Sequence, residues 1–389
     1  MTTTLLHTVA EIGPLLAQHI EEEAQQRRLS RPVFTALAEA GFHKLFLPKS
    51  LGGLEVDPLT AAKLVEEVAS YNTAAGWSLM VGNTTTWWSA RLTDEGAEEV
   101  FRNNPGFLAG TIHPPMMAIA VDGGFRITGR SPLASNIHEA KYIFTSAMIF
   151  ENNQPKFTNG MPEIIGAYMK ADDCDIIDTW HTLGMKATDS NDVVAENVFV
   201  PNHLFFRLMP DYIPNQYYEG PLYKYAPIGA SVTCLIAPIA LAVATNAIKE
   251  LKALAAKKVP MSSQVSIRER GTVQRKLGIA EAQVQSSRAY LHQTISACWN
   301  KVLNGEKLSL EDKAGLLLAA THTNQSCLSA IDAVYSAAGT SGIYTRNKLS
   351  QYFTDAQVIR QHGFVNDSRY ETAAQVYMGL QPDLGLLMF

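Results

Sequence analysis

The chain has 389 residues, which at about 150 residues per domain suggests two or three domains. Hydrophobic residues make up 47% of the chain and charged residues 18%, and the 32 basic and 37 acidic side chains leave a net charge of −5. This composition excludes an intrinsically disordered chain, and the lack of a basic excess argues against nucleic-acid binding.

The cysteines and histidines are too dispersed to predict a disulfide framework or a metal site. No Cys-x-x-Cys pair occurs, and the ten histidines show no spacing typical of metal ligands. Widely spaced thiols are typical of a reducing compartment, and the first residues lack the basic segment and long apolar core of a signal peptide. The sequence therefore predicts a cytoplasmic protein that holds no metal.

The first 105 residues predict an N-terminal helical domain. A helix is expected from Pro32 to Ala40, because Gly41 follows it as a typical helix end. A second, amphipathic helix is expected from Leu59 to Ser70. The stretch between them is rich in proline and glycine and predicts a loop.

Residues 106–205 predict a central β-domain that resembles a barrel. An Asp-Gly-Gly turn between Val121 and Thr128 predicts a hairpin, because it separates two runs of alternating apolar residues. Pro201 ends the last expected strand. The further strands are expected at residues 142–149, 163–169, 175–178 and 193–200.

Residues 206–389 predict a C-terminal four-helix bundle, with helices at 228–256, 264–303, 310–338 and 350–379. The stretch from Ile228 to Ala247 is apolar enough for a membrane span, but its small and polar residues and Pro238 favour a buried core helix. Helices, strands and helices follow one another in blocks, which argues against an alternating βαβ sheet. The predicted fold class is α+β, mainly α.

Common nucleotide and hydrolase motifs are absent from the sequence. It contains no Gly-x-Gly-x-x-Gly after a strand, no Walker A loop, no His-Glu-x-x-His and no Gly-x-Ser-x-Gly. A dinucleotide-binding Rossmann domain, a P-loop enzyme and a zinc hydrolase are therefore not expected.

An ordered set of segments resembles a known family. They are LFLPKSLGGLEVDP at 45–58, VEEVASYNTAAGW at 65–77, GTIHPP to KYIF within 110–144, DTWHTLGMKATDSNDVVAENVFVP at 178–201 and AGTSGIYTRNKLSQYFTDAQVIRQH at 338–362. Together they resemble the acyl-CoA dehydrogenase fold. More closely they resemble its monooxygenase branch, the oxygenase components of two-component flavin hydroxylases such as para-hydroxyphenylacetate hydroxylase and dibenzothiophene monooxygenase.

The resemblance implies a flavin-dependent monooxygenase. Such an enzyme receives reduced FMN or FAD from a separate flavin reductase and forms a C4a-hydroperoxyflavin with O2. It then oxygenates a small aromatic or heteroatom-containing substrate. The resemblance also implies a homotetramer or dimer. The lack of an Arg-x-x-Phe-Gly type segment near residues 257–263 favours a loosely bound flavin.

The position of the catalytic base separates the two branches of the family. The resemblance to acyl-CoA dehydrogenases implies a glutamate about eight residues after Asp355, but Gly363 stands there and His362 precedes it. Two alternatives stay open. One is an FAD-dependent acyl-CoA dehydrogenase-like desaturase that uses Glu371. The other is a catalytically silent scaffold, because both arginines that the family often has beside this aspartate are missing.

Two residues are candidates for catalysis on the strength of the resemblance. His362 would orient the distal peroxide oxygen or accept a phenol proton, although a helix histidine without a catalytic role is the alternative. Ser135 would place a hydroxyl near flavin N5, with Asn136 standing where the family has glycine. A plain Ser-Asn turn is the alternative for this pair.

The resemblance also implies the remaining site residues. Arg268 would bind the flavin phosphate, often across a subunit interface, because a guanidinium is a bidentate donor. The alternative to a binding role is that these residues only occupy turn, core or surface positions. The predicted flavin-binding set is Gly110, Thr111, His113, Ser135, Asn136, Trp180, Thr188, Ser190 and Arg268, and the predicted substrate-pocket set is Trp77, Asn83 and His138.

Overall fold

The computed structural model describes residues 1–102, 104, 106–261 and 263–389, without the side chains of residues 114, 228 and 230. Its first part is helical. The helices are α1 (Thr2–Gln18), α2 (Ile20–Gln26), α3 (Arg31–Glu39), α4 (Pro58–Tyr71), α5 (Thr73–Trp88) and α6 (Asp94–Ala97).

Two capping residues fix the start of α4 and α5, the helices that lead to the site. The Asp57 carboxylate accepts a hydrogen bond from the Thr60 amide at 2.9 Å, and Pro58 occupies the first turn, where its missing N–H costs nothing. Asn72 ends α4 and caps α5, because its side chain accepts from the Ala75 amide at 3.1 Å. The two helices therefore follow each other with a defined bend.

The middle of the chain forms β-strands. They are β1 (Ala109–Val121), β2 (Gly124–Ala134), β3 (Tyr142–Glu151), β4 (Gln154–Pro155), β5 (Phe157–Thr158), β6 (Met161–Pro162), β7 (Ile164–Lys170), β8 (Asp175–Ile177), β9 (Asn191–Pro201) and β10 (Phe205–Arg207). They form a mainly antiparallel sheet in the order β10-β7-β3-β1-β2-β9-β8, with β4 paired to β3 and a separate β5-β6 pair.

β1 changes register where it approaches α5. It pairs with β2 as the predicted hairpin and with β3 in parallel, but the β3 register shifts between Thr111 and Met116. Two consecutive prolines in this stretch have no N–H to donate to the ladder. Just before the shift, Gly110 allows close packing, since a Cβ there would lie 2.6 Å from the Thr85 methyl group. The irregular strand is thus held directly against α5.

The last part of the chain is helical again. The helices are α7 (Pro227–Ser231), α8 (Ala237–Lys257), α9 (Gly271–Leu303), α10 (Leu310–Ala338), α11 (Lys348–Ile359) and α12 (Arg369–Tyr377), and α8 to α11 form the bundle. Between α7 and α8 the chain makes a π-helical turn, Val232–Ile236. The Pro238 ring would clash with the carbonyl of Cys234 in a regular helix, which explains this turn.

The π-helical turn and α8 together form a continuous helix, Val232–Lys257, that is long and apolar enough to cross a membrane by length and composition. Its most apolar window is 83% buried inside the protein, against the helices around it. A helix buried to this extent is a core helix of the bundle, as the sequence predicts.

The predicted fold class is confirmed, and two helix boundaries differ from the prediction. The helix expected from residue 264 starts at Gly271, and the one expected over 350–379 divides into α11 and α12. The break begins after Ile359 and contains His362, whose side chain accepts a hydrogen bond from the Phe364 amide. A side chain that bonds nearby backbone competes with helix formation.

The predicted domain limits remain predictions. Helical structure ends by Arg102 and the sheet begins at Ala109, but residue 105, the first predicted limit, lies outside the described residues. The second limit, after residue 205, falls within β10, which pairs with β7.

A buried carboxylate joins the sheet to the bundle. Asp355 on α11 accepts a hydrogen bond from the Met185 amide at 2.6 Å. Next to it Gly184 packs so closely that a Cβ would lie 2.4 Å from the Thr354 carbonyl oxygen. Burial raises the pKa of Asp355 to about 6, while the Met185 amide and the Gln351 side chain oppose the rise. The loop before β9 is thereby fixed on α11.

We predict that Asp355 makes stability fall as the pH rises from 4 to 7. Its folded-state pKa is raised, so the folded protein binds the proton more tightly than the unfolded chain between these values. The free energy of unfolding of the wild type minus that of Asp355→Asn should decrease by roughly 2 kcal/mol over this range. Urea unfolding at pH 4, 5, 6 and 7 measures it, and a constant difference would contradict the prediction.

Candidate active site

A large cavity of about 720 Å³ lies between the helical parts and the sheet. This volume is in the upper part of the range of small-molecule sites, about 300–1,000 Å³. Its wall comes from α5, β1, the end of β2, the loop before β9, the π-helical turn and the segment after α11. Among the described residues that line it, no aspartate, glutamate, lysine or arginine occurs.

One face of α5 runs along the cavity. The positions that line it recur three and four residues apart, as neighbouring residues on one helix face do. They are Trp77, Met80, Val81, Thr84, Thr85 and Trp88, and Asn83 and Trp87 of the same helix also line the cavity. Because each residue of a helix rises 1.5 Å, Trp77 and Trp88 lie about 16 Å apart along the axis. The cavity is therefore elongated, with a different chemistry at each end.

The structure brings most of the predicted site residues to this cavity and leaves four outside it. The residues that line it are Trp77, Asn83, Gly110, Thr111, His113, Ser135, Trp180, Ser190 and His362. The remaining four are Asn136, His138, Thr188 and Arg268.

His362 lies at the Trp77 end of the cavity, with the two ring centroids 5.5 Å apart in an edge-to-face arrangement. Its Nδ1 accepts a hydrogen bond from the Phe364 amide at 3.3 Å. Burial lowers the pKa of the imidazole to about 4, so the ring is neutral at pH 7. Since Nδ1 accepts, the proton of the neutral ring is on Nε2, and His362 is a hydrogen-bond donor there.

Ser135 belongs to a chain of three buried hydroxyls beside His362. Its Oγ lies 2.7 Å from the Oγ of Ser190, which lies 2.7 Å from Oγ1 of Thr188. Thr188 in turn donates to the Met185 carbonyl oxygen at 3.0 Å. The indole N–H of Trp77 donates to Ser135 Oγ at 3.2 Å. We call Ser135, Ser190 and Thr188 the hydroxyl chain.

The hydroxyl chain has two arrangements, because each hydroxyl carries one hydrogen. In the first, each hydroxyl donates toward Met185, and Ser135 offers a lone pair to the cavity. In the second, Thr188 donates to Ser190 instead of Met185, Ser190 donates to Ser135, and the hydrogen of Ser135 is free to point into the cavity. Ser135 can therefore act as an acceptor or a donor toward a ligand, and Thr188 influences this choice without lining the cavity.

Asn136 joins α5 to the end of β2. Its side chain accepts from the Ser78 hydroxyl at 2.5 Å and donates to the Ser78 carbonyl at 3.1 Å. Its φ of 65° lies in the left-handed region, which asparagine tolerates better than most residues. This explains why asparagine can stand where the family has glycine.

Two more predicted residues are held by protein contacts. The Asn83 side chain accepts from the Leu45 amide and donates to the carbonyls of Phe42 and Leu79, so it offers the cavity no free N–H. His138 is exposed outside the cavity, where Nδ1 lies 2.7 Å from the buried Asp189 carboxylate.

Arg268 lies on the surface, in a short turn before α9 and away from the cavity. Its predicted role at a flavin phosphate across a subunit interface is not tested by a single chain and stays a prediction.

Sequence reasoning missed two parts of the cavity. The helical spacing from Trp77 along α5 was a usable signal for Thr84 and Thr85. No local pattern marks Leu235, Ile236 or Leu386, which reach the cavity through the π-helical turn and through packing of a distant segment.

Two family models match the chain. The N-terminal domain of acyl-CoA dehydrogenase matches residues 8–100, and its C-terminal domain matches residues 234–367, together more than half of the chain. The chain belongs to the acyl-CoA dehydrogenase family.

The curated relatives of this family member are monooxygenases. Indole-3-acetate monooxygenase of Acinetobacter baumannii is 28% identical over 96% of this chain and 95% of the relative. The flavin-dependent monooxygenase oxygenase subunit HsaA of Rhodococcus jostii is 24% identical over 90% and 91%. The predicted function, the oxygenase component of a two-component flavin-dependent monooxygenase, is confirmed by these matches.

A solved structure shares the fold. XiaF from Streptomyces sp., in complex with FADH2 and glycerol, superposes with a TM-score of 0.90 at 22% identity, covering 98% of this chain and 97% of XiaF. The overall architecture is therefore that of a flavin-dependent enzyme of this family.

The residues around the cavity of this monooxygenase fit a flavin. The flavin ring system is flat and apolar on its faces, with hydrogen-bonding atoms along its edges. Apolar side chains line most of the cavity, and Ser135, Ser190 and His362 provide a polar side. The register shift in β1 also takes Ile112 and His113 out of the ladder with β3, and both residues line the cavity, although the Ile112 carbonyl accepts a hydrogen bond from the Ser146 hydroxyl at 2.7 Å.

We predict that the ring of His362 titrates near pH 4 and carries its proton on Nε2 at pH 7, because burial disfavours the imidazolium and the Phe364 amide occupies Nδ1. Nitrogen NMR of histidine-labelled protein measures both properties, and the His362→Gln variant assigns the signal. A titration near 6.5, or a proton on Nδ1, would contradict the prediction.

Proposed function

We propose that this monooxygenase transfers one oxygen atom of O2 to a neutral, apolar aromatic substrate of about the size of indole. The observation that carries the proposal is the uncharged wall of the cavity. The described residues of the wall carry no carboxylate, ammonium or guanidinium group, and the low pKa of His362 keeps its imidazole neutral.

The charge argument selects against a carboxylate substrate. Burying an ionised carboxylate without a cation costs several kcal/mol, because water is lost and no opposite charge replaces it. Thr84, Thr85 and Ser231 supply only neutral polar groups along the wall. A neutral heteroaromatic ring needs a single hydrogen bond or none, so it suits this cavity better than an acid does.

Bound reduced flavin supplies the two electrons and two protons with which O2 gives one oxygen atom to the substrate and one molecule of water. The chain's own groups bind and orient. His362 donates through Nε2, Ser135 donates or accepts through the hydroxyl chain, and the apolar wall excludes water from the reacting atoms.

The desaturase alternative is not supported by the site. An acyl-CoA dehydrogenase needs a carboxylate base, and no described residue lining the cavity carries one. Glu371 is exposed on α12 and does not line the cavity. A second candidate substrate is an arylacetate, which only the likeness to indole-3-acetate monooxygenase favours.

We also propose a transient flavin reductase partner, a homotetramer and a cytoplasmic location. The relatives named as oxygenase subunits or components support the reductase. Four free thiols fit a reducing compartment. Exposed apolar side chains on α9 and at the bundle end next to it support contacts between copies. They are Val259, Met261, Val265, Ile279, Tyr290, Leu303, Ile343 and Tyr344.

We predict that kcat/KM for indole exceeds that for indole-3-acetate by about 100-fold, because the carboxylate would lie unpaired in the cavity. Product formation with reduced flavin and O2 measures both values. Thr84→Lys should lower the ratio of kcat/KM for indole to kcat/KM for indole-3-acetate, because it places an ammonium group on the wall. Thr84→Met is the uncharged control. Equal values, or a preference for the acid in the wild type, would overturn the neutral-substrate proposal.

We predict that His362→Ala separates flavin oxidation from oxygenation. Product per flavin oxidised should fall about 100-fold, with hydrogen peroxide released instead, because the Nε2–H donor is lost. His362→Gln should restore part of the yield, since its amide can donate. His181→Ala, on an exposed histidine that does not line the cavity, is the control. An unchanged product yield in His362→Ala would remove this residue from the mechanism.

A further inference from the structure

We propose that residues 382–389, which we call the end segment, set the greatest substrate length that the cavity accepts, with Leu386 as the contact residue. The proposal rests on the proposed function, because it assigns the apolar end of the cavity to the substrate. Leu386 lines the cavity from a part of the chain that follows all the long helices.

The end segment is held at its beginning by Asp383. The Asp383 carboxylate accepts a hydrogen bond from the Thr372 hydroxyl at 2.5 Å and lies 3.7 Å from the Arg369 guanidinium. The Asp383 amide donates to the Gln375 side chain at 2.8 Å. All three partners are on α12, so the start of the segment is fixed to that helix.

The other end of the segment is held by aromatic contacts. The Phe389 ring meets the Trp88 ring edge-to-face, with centroids 5.9 Å apart. The Arg91 guanidinium lies 5.2 Å from the Phe389 ring centroid and 3.8 Å from that of Tyr212. Between the two attachments Leu387 is completely buried. A segment fixed at both ends and packed in the middle is a rigid boundary.

We place Leu386 at the end of the cavity opposite Ser135 and His362, because it lines the cavity three residues before Phe389, which contacts Trp88. Trp77 contacts Ser135 and His362, whereas Trp88, about 16 Å further along α5, contacts the end segment. A substrate that reacts near His362 therefore extends toward Leu386. The size of this side chain sets how far a substituent can extend, because a hydrophobic contact discriminates by the space it leaves.

The test compares indole with 5-phenylindole, an elongated neutral analogue, in matched variants. Leu386→Ala should raise the kcat/KM ratio of the long to the short substrate at least tenfold, and Leu386→Trp should lower it by a similar factor. Met388→Ala, which changes an exposed side chain of the same segment outside the cavity, should leave the ratio as in the wild type. Unchanged ratios in both Leu386 variants would overturn the proposal.

Binding to the flavin-free protein tests the same inference without turnover. Isothermal titration calorimetry gives the dissociation constants of the two indoles, and their ratio should shift in the same direction as kcat/KM. Asp383→Ala, which removes the carboxylate contacts with Thr372 and Arg369 on α12, should shift it as Leu386→Ala does, and no shift in either would contradict the proposal. If the binding ratio shifts but no variant or wild type forms product, the proposed function fails and the role of the segment stands.

Discussion

The site depends on the hydrogen bond between the Asp355 carboxylate and the Met185 amide. This bond fixes the loop that carries Trp180 and Ser190 onto α11, and α11 ends just before His362. The sheet and the bundle therefore present their groups to one cavity at a set distance. The bond is buried and the pKa of its carboxyl group is raised. Ionisation of Asp355 therefore lowers the stability of the folded protein as the pH rises toward neutral.

The second constraint is the single helix along which the cavity extends. α5 is buried on nearly all sides, and its cavity face runs from the hydroxyl chain to the end segment. Gly110 lets the irregular part of β1 pack directly on this helix. Because one rigid helix carries both ends, the distance between the polar groups and the apolar boundary is fixed by helix geometry and not by a flexible loop.

The sequence predicts the fold class well because helical and strand patterns occur in separate blocks. His362 could be located by counting from Asp355, since the missing glutamate would stand only a few residues further along the chain. The tautomer of the neutral His362 ring could not be predicted, because the position of its proton depends on the helix break and on the Phe364 amide. Thr188 does not line the cavity, because Ser190 lies between its hydroxyl and that of Ser135. Leu386 reaches the site through tertiary packing, which no local pattern encodes.

The two ends of the cavity have separate supports. The polar end is built by Ser135, Ser190 and His362, whereas the apolar end is built by Trp88 and the end segment, which is attached to α12 and to Arg91. Substitutions at one end therefore need not disturb the hydrogen bonds of the other. In evolutionary terms, such a division lets a lineage exchange its substrates through a few apolar residues while the groups that handle oxygen stay under purifying selection.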